Sequence, residues 1–149
     1  MRFERSPGAT LPELILALLI LSVITAGGVL ALRRGLEQYG VRAARDSMAS
    51  AVAKARTLAL AHGGARLVVD PAIAAVWIEA PVGSRVGDAL RLGDVFGVSV
   101  AADQNTGGPI VVEFDALGFG RIASRTFRLR RGSAEARLTL SSYGRPRRW

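Results

Sequence analysis

From Leu14 to Leu32 the chain runs for 19 residues without a charged side chain. At about 1.5 Å of rise per residue, a helix of that length just crosses the hydrocarbon core of a bilayer. Helical character continues from Arg33 to Ala61, which is rich in Ala, Leu and Arg, holds no proline, and has only Gly35 and Gly40 as weak breakers. Here the pattern becomes amphipathic. Val41, Ala44, Met48, Val52, Ala55 and Ala59 recur at three- and four-residue steps as one apolar stripe, while Arg42, Arg45, Asp46, Lys54 and Arg56 mostly lie off it. His62-Gly63-Gly64 closes the element, glycine being suited to a left-handed C-cap. The spacing predicts one helix from Pro12 to Ala61, about 75 Å long. Gly27-Gly28 within it either admits close helix packing or reflects how common small residues are in membrane helices.

After the glycines the period changes from helix to strand. Ala65–Val69, Ala74–Ala80, Val95–Ala101 and Pro109–Asp115 are short runs bounded by the turn signals Asp70-Pro71, Pro81 to Gly83, and Asn105-Thr106-Gly107-Gly108. Phe127–Arg131 and Ala134–Leu140 form the clearest pair. With Gly132-Ser133 as a two-residue turn, Leu129 faces Ala136 and Phe127 faces Leu138 on one side, and Arg130 faces Glu135 on the other. That register also sets Arg128 opposite Arg137, which is unfavourable unless an anion lies nearby: solvent ions, an acid from another strand, or a ligand. One long helix followed by six or seven strands predicts an α+β fold, the helix packed on an antiparallel sheet.

The 149 residues suffice for one modest domain plus a membrane helix. The absence of cysteine excludes disulfides and thiolate chemistry. Charge is uneven: residues 62–120 carry three arginines against seven acids, a net −4, and residues 121–149 carry nine arginines against Glu135, a net +8. Such asymmetry fits either an anionic partner or a solvated basic face.

The start of the apolar run is distinctive. A secretory signal places its apolar region before a small-residue cleavage site, whereas here the polar leader ends at Gly8 and the apolar run follows. A plain anchor does not account for Glu13, a carboxylate at the edge of hydrocarbon that by default requires a partner. Gly8-Ala9-Thr10-Leu11-Pro12-Glu13 and the uncharged run resemble the class III prepilin signature of type IV pilins and type II secretion pseudopilins. The resemblance implies cleavage by a prepilin peptidase after Gly8, N-methylation of Ala9, and pairing of Glu13 with the terminal amine of a neighbouring subunit. Ala9 and Pro12 depart from the residues usual there, and a first helical turn tolerates proline.

The rest of the chain resembles the GspH/FimT pseudopilin group through the arginine-bearing helix 43–57, Phe114-Asp115-Ala116-Leu117-Gly118, and Gly144-Arg145-Pro146-Arg147. Residues 1–8 are then expected to be a leader, 9–32 a transmembrane and filament-core helix, 33–62 its amphipathic continuation, and 63–149 a periplasmic head on the bacterial inner membrane. Implied partners are the peptidase, other pseudopilins or minor pilins, and the membrane.

Catalysis is not expected. The single histidine, His62, lies at a helix end, no metal-ligand spacing or phosphate loop appears, and Lys54 has no obvious nucleophile near it; no cofactor is expected. The tail Gly144-Arg145-Pro146-Arg147-Arg148-Trp149 is expected to be extended, with arginine forks suited to phosphate and an indole able to stack on an unpaired base. Arg145, Arg147, Arg148, Arg128 and Arg137 are the candidate anion or DNA contacts. A terminal Gly-Arg-x-Arg is associated with DNA binding in FimT-type minor pilins, and secretion pseudopilins end similarly. Two functions are therefore expected as alternatives: a GspH-like subunit of a type II secretion pseudopilus tip, and a FimT-like DNA-binding minor pilin.

Overall fold

The computed structural model describes residues 10–103, 108–121 and 124–149, and divides into two compact units, 1–35 and 36–149. One helix, α1 (Leu11–His62), begins in the first and ends in the second. It starts one residue before the predicted Pro12 and ends one after Ala61, and Gly63 follows it with φ +77°, the left-handed stop expected there.

Within the first unit every described residue is exposed, and an 18-residue window of α1 has a mean hydropathy of 2.7. By length and composition it can cross a membrane. The hydroxyls of Ser22 and Thr25 donate back to the carbonyls of Leu19 and Leu21 at 2.7 and 2.9 Å, so the run's own hydroxyls need no water.

The second unit is an α+β head. All six residues of the predicted stripe are buried, joined by Gly40 and Ala49. Most of these side chains are small, so the backbone of α1 comes close to its neighbours: a Cβ on Gly40 would stand 2.6 Å from Arg131 Nη1 and 3.1 Å from the Phe96 carbonyl oxygen.

The strands are β1 (Gly64–Asp70), β2 (Ala75–Glu79), β3 (Arg85–Arg91), β4 (Ser99–Ala102), β5 (Ile110–Asp115), β6 (Gly120–Arg121), β7 (Arg125–Arg131), β8 (Ala134–Leu140) and β9 (Pro146–Arg148), with a short helix α2 (Leu92–Phe96) before β4. They form two antiparallel sheets, A in the order β3-β2-β1-β5-β6 and B in the order β4-β7-β8-β9. Leu67, Val69, Val112 and Phe114 from A, with Phe127, Leu129, Leu138 and Leu140 from B, close one core against the helix stripe. The β7–β8 hairpin has the predicted register at all four pairs, with Gly132 at φ +56° in its turn.

Two expectations are corrected. Val95–Ala101 is not one strand: α2 ends at Gly97 (φ +65°), whose N–H donates to the Gly93 carbonyl at 2.9 Å, and only Ser99–Ala102 is β4. The valines at 95, 98 and 100 carry a strand pattern that the left-handed glycine interrupts. The count of six or seven strands is also low, because β3 has few apolar residues and β6 and β9 are two and three residues long.

The solvent face of sheet A is an alternating charge ladder. Arg85, Glu79, Arg66, Glu113 and Arg121 oppose one another in turn across all five strands. Arg66 Nε lies 3.1 Å from Glu113, Trp77 Nε1 donates to Glu79 at 2.7 Å, and the Arg85 guanidinium sits 4.7 Å from the Trp77 ring centroid.

The sheets are also joined by backbone. Gly120 N–H donates to the Tyr143 carbonyl at 3.2 Å, and a Cβ on Gly144 (φ +72°) would lie 2.6 Å from Phe114 Cε1 and 3.1 Å from Gly120 Cα. Gly144→Ala therefore combines left-handed strain, about 1–2 kcal/mol, with a clash against a core ring. Gly63→Ala has the same strain and nothing within 4 Å. In urea titrations of the head, Gly144→Ala is expected to lose clearly more stability than Gly63→Ala; equal losses would refute the crowding.

Candidate functional site

Strand alternation on sheet B sends Phe127, Leu129, Ala136 and Leu138 inward and leaves Thr126, Arg128, Arg130, Glu135, Arg137 and Thr139 on the solvent face. The tail is the fourth strand of this sheet. Arg147 stands opposite Thr139, and the main chains of Trp149 and Arg137 exchange hydrogen bonds at 3.1 and 3.2 Å. Arg147 and Trp149 thus join Arg128 and Arg137 on one surface. Asp103, Thr126, Arg128, Arg137, Thr139 and Trp149 line an open cleft of about 370 Å³ there.

The tail is extended as expected, and it is a paired strand. Its alternation divides the candidate arginines. Arg148 pairs in register with the inward-facing Leu138 and reaches Asp46 of α1, with Nη1 3.7 Å from the carboxylate. Asp46 also holds Arg45 at 3.1 Å, and Arg45 Nη1 donates to the Trp149 carbonyl at 3.3 Å. Arg148 is therefore part of the tail's attachment to the helix. Arg145 lies in the turn before β9, where its N–H donates to Ser141 Oγ at 3.1 Å and its side chain is exposed. Arg145 and Arg147 have no ion pair among the described residues.

Arg128 and Arg137, opposed as predicted, are each held by an acid. Arg128 Nη2 donates to Asp103 at 2.7 Å, and Arg137 Nε and Arg130 Nε both donate to Glu135 at 2.7 Å. Of the three sources of negative charge left open by the sequence, acids within the head meet the need. Asp103 is 25 residues from Arg128 and becomes its neighbour only through the β4–β7 pairing, so spacing gives no sign of it. Arg128 Nε, like Arg125 Nε, is buried without a hydrogen-bond partner among the described residues.

Gly8 and Ala9 lie outside the described residues. Glu13 occupies the first turn of α1, where its Oε2 accepts from the Thr10 N–H at 3.4 Å, one half of a capping box. Lys54, which has no nucleophile near it in sequence, shares a groove of about 500 Å³ with Ser47 and Ser50, yet no hydrogen bond among the described residues joins them. Among the described residues no group of three or more His, Asp or Glu is placed to hold a metal ion.

A long apolar amino-terminal helix followed by an antiparallel α+β head is a pilin-like fold. The crystal structure of the type IV minor pilin FimU of Pseudomonas aeruginosa (strain PAO1) has this fold: its TM-score is 0.57 over 73% of this chain and 87% of that one, at 15% identity. No known family profile matches this chain, and no curated protein sequence matches it.

The Arg137–Glu135–Arg130 clamp is open to titration. The hydrogen bond from Arg137, then that from Arg130, holds the Glu135 carboxyl below its ordinary value of 4.5. A depressed carboxylate stabilises the fold above its unfolded pKa, and that contribution is lost as pH falls through the folded value. NMR titration is expected to place Glu135 below 4.5 and to move it upward in Arg137→Ala. An unmoved Glu135 would mean that the clamp does not persist in solution.

Proposed function

We propose that this protein is a minor pseudopilin, a GspH-like structural subunit at the tip of a type II secretion pseudopilus. The observation that carries the proposal is an uncharged, membrane-length helical run, opened by Glu13 and leading to a pilin-like head. In this reading a prepilin peptidase cleaves after Gly8 and methylates Ala9. Residues 9–32 then serve as the membrane anchor and filament core, 33–62 continue the helix, and 63–149 form the periplasmic head. Two opposite charges meeting in apolar surroundings offset each other's desolvation, so Glu13 would exchange its weak contact with Thr10 for the terminal amine of a neighbouring subunit.

Because Glu13 also caps its own helix, the test must separate charge from capping. Glu13→Gln keeps an oxygen for the Thr10 N–H and removes the charge, whereas Glu13→Ala removes both. Both variants are expected to reach the membrane and to be cleaved, yet to enter filaments poorly. Filament incorporation of Glu13→Gln at the wild-type level would overturn the charge-pairing role.

The second reading, a FimT-like minor pilin that binds DNA, is favoured by the gathering of Arg128, Arg137 and Trp149 around one cleft, with Arg147 in register with Thr139 of its lining. Phosphate contacts release counterions, so affinity must fall steeply with salt. Binding of DNA to residues 36–149 across a salt series, compared with the double variant Arg145→Ala/Arg147→Ala, decides this reading. Salt-steep binding that drops in the variant supports it, and no binding at low salt eliminates it.

A further inference from the structure

The end of the head that follows the uncharged run carries side chains that neither function uses. The run stops at Leu32, and the head begins at Leu36. Four residues span at most about 14 Å, whatever angle the two units take. With the run in a bilayer, this end of the head is therefore held at the headgroup layer, itself about 5–8 Å deep.

Four segments meet there. A Cβ on Gly40 would stand 3.1 Å from the Phe96 carbonyl oxygen, so α1 passes directly beside α2. Gly93 N–H donates to the Ala74 carbonyl at 3.3 Å, which brings in the turn 71–74. Ser133 N–H and Oγ both donate to Glu37 at 3.0 Å, which brings in the β7–β8 turn. On these segments Leu36, Tyr39, Ile73 and Val95 are 53%, 73%, 62% and 63% exposed.

The charges around them are mixed. Arg91 and Arg131 stand with Asp70, Asp94 and Glu37, and each acid has a partner. Asp70 accepts from Ala72 N–H at 2.9 Å, Asp94 lies 3.5 Å from Arg91, and Glu37 holds Ser133. Arg131 donates to the Phe96 carbonyl at 2.9 Å. Attraction to a charged surface is thus weak, and what remains to drive contact is apolar. Single exposed aliphatics are ordinary on a protein surface. What gives these an occupant is the tether, which keeps lipid within reach at high effective concentration. A tyrosine suits that boundary, its ring apolar and its hydroxyl wet. Ile73 and Val95 sit on segments already fixed by hydrogen bonds, so little ordering remains to be done on contact.

We propose that this end of the head docks on the bilayer that holds its own helix, seating Tyr39, Ile73 and Val95 among the lipid headgroups while the chain is outside a filament. Docking presupposes that residues 9–32 are the anchor. It defines a resting state, from which the head must lift before the subunit joins an assembly.

The chain holds no cysteine, so a single introduced thiol takes a fluorophore without background. Full-length Val95→Cys, Leu117→Cys and Leu19→Cys chains would be labelled and placed, one copy per disc, in phosphatidylcholine nanodiscs. The discs carry nitroxide either at the headgroup or in the acyl chain. Leu117 is at the far end of the head, where a Cβ on Gly118 would lie 3.5 Å from Leu60, about 30 Å along the helix from Gly40. Headgroup nitroxide is expected to quench the label at 95 about threefold more than the label at 117, alike at low and high salt, because charge does not hold the contact. Adding Tyr39→Asp/Ile73→Asp, both at exposed sites, should bring quenching at 95 down to the level at 117. Equal quenching at 95 and 117, loss of the difference in high salt, or a difference that survives the double variant overturns the proposal. Acyl-chain nitroxide reports separately on the anchor through Leu19→Cys. Quenching there with no excess at 95 refutes docking and leaves the anchor standing; no quenching at either position refutes both.

Discussion

The head depends on how closely α1 can approach its neighbours. Gly40, Ala44, Ala49, Ala55 and Ala59 put almost no side chain between the helix backbone and what it packs against, and Met48 and Val52 fill the space left between the sheets. Interiors are packed to crystal-like density, so a helix face this shallow dictates the depth of every residue facing it. Phe127, Leu129 and Leu138 are fully enclosed because the helix comes down to meet them. Arg131 shows how little room is left: its guanidinium passes beside Gly40 to reach the Phe96 carbonyl at 2.9 Å, a path that a side chain at position 40 would block.

With the inner faces committed to that core, the outer faces differ sharply. Sheet A alternates sign strand by strand and is close to neutral. Sheet B gathers arginines on three adjacent strands and answers them with two acids, Asp103 and Glu135. Among the described residues of this sheet, Arg125 and Arg131 on β7 and Arg147 on β9 have no ion pair, nor does Arg145 in the turn before β9. Arg128 thus has Asp103 to itself, whereas Arg130 and Arg137 share the single carboxylate of Glu135, and the face stays net positive.

Most of the fold was legible because two periodicities are strong here. The three- and four-residue spacing of Val41 to Ala59 identified the buried helix face, and the two-residue alternation around Gly132-Ser133 gave the hairpin register pair by pair. The edge elements were not legible, since an edge strand with little to bury has little pattern: β3 carries Gly87 at φ +74° and a register shift against β2. Part of the candidate site was readable and part was not. That Arg128 needed an anion followed from pairing rules, but that Asp103 supplies it follows only from where β4 lies. Separating Arg148 from Arg147 likewise required the pairing of β9 with β8, which a three-residue strand with one proline does not announce.

The two tryptophans mark the two outer faces separately. Trp77 lies half-buried on sheet A, with its indole N–H on Glu79 and a guanidinium over its ring, while Trp149 is 71% exposed beside Arg137 on sheet B. The intrinsic emission of the native head is therefore a sum of two unlike signals, a shielded indole and one open to collisional quenchers. Whatever covers sheet B will protect the second and leave the first unchanged, so the protein carries its own optical probe of which face is engaged.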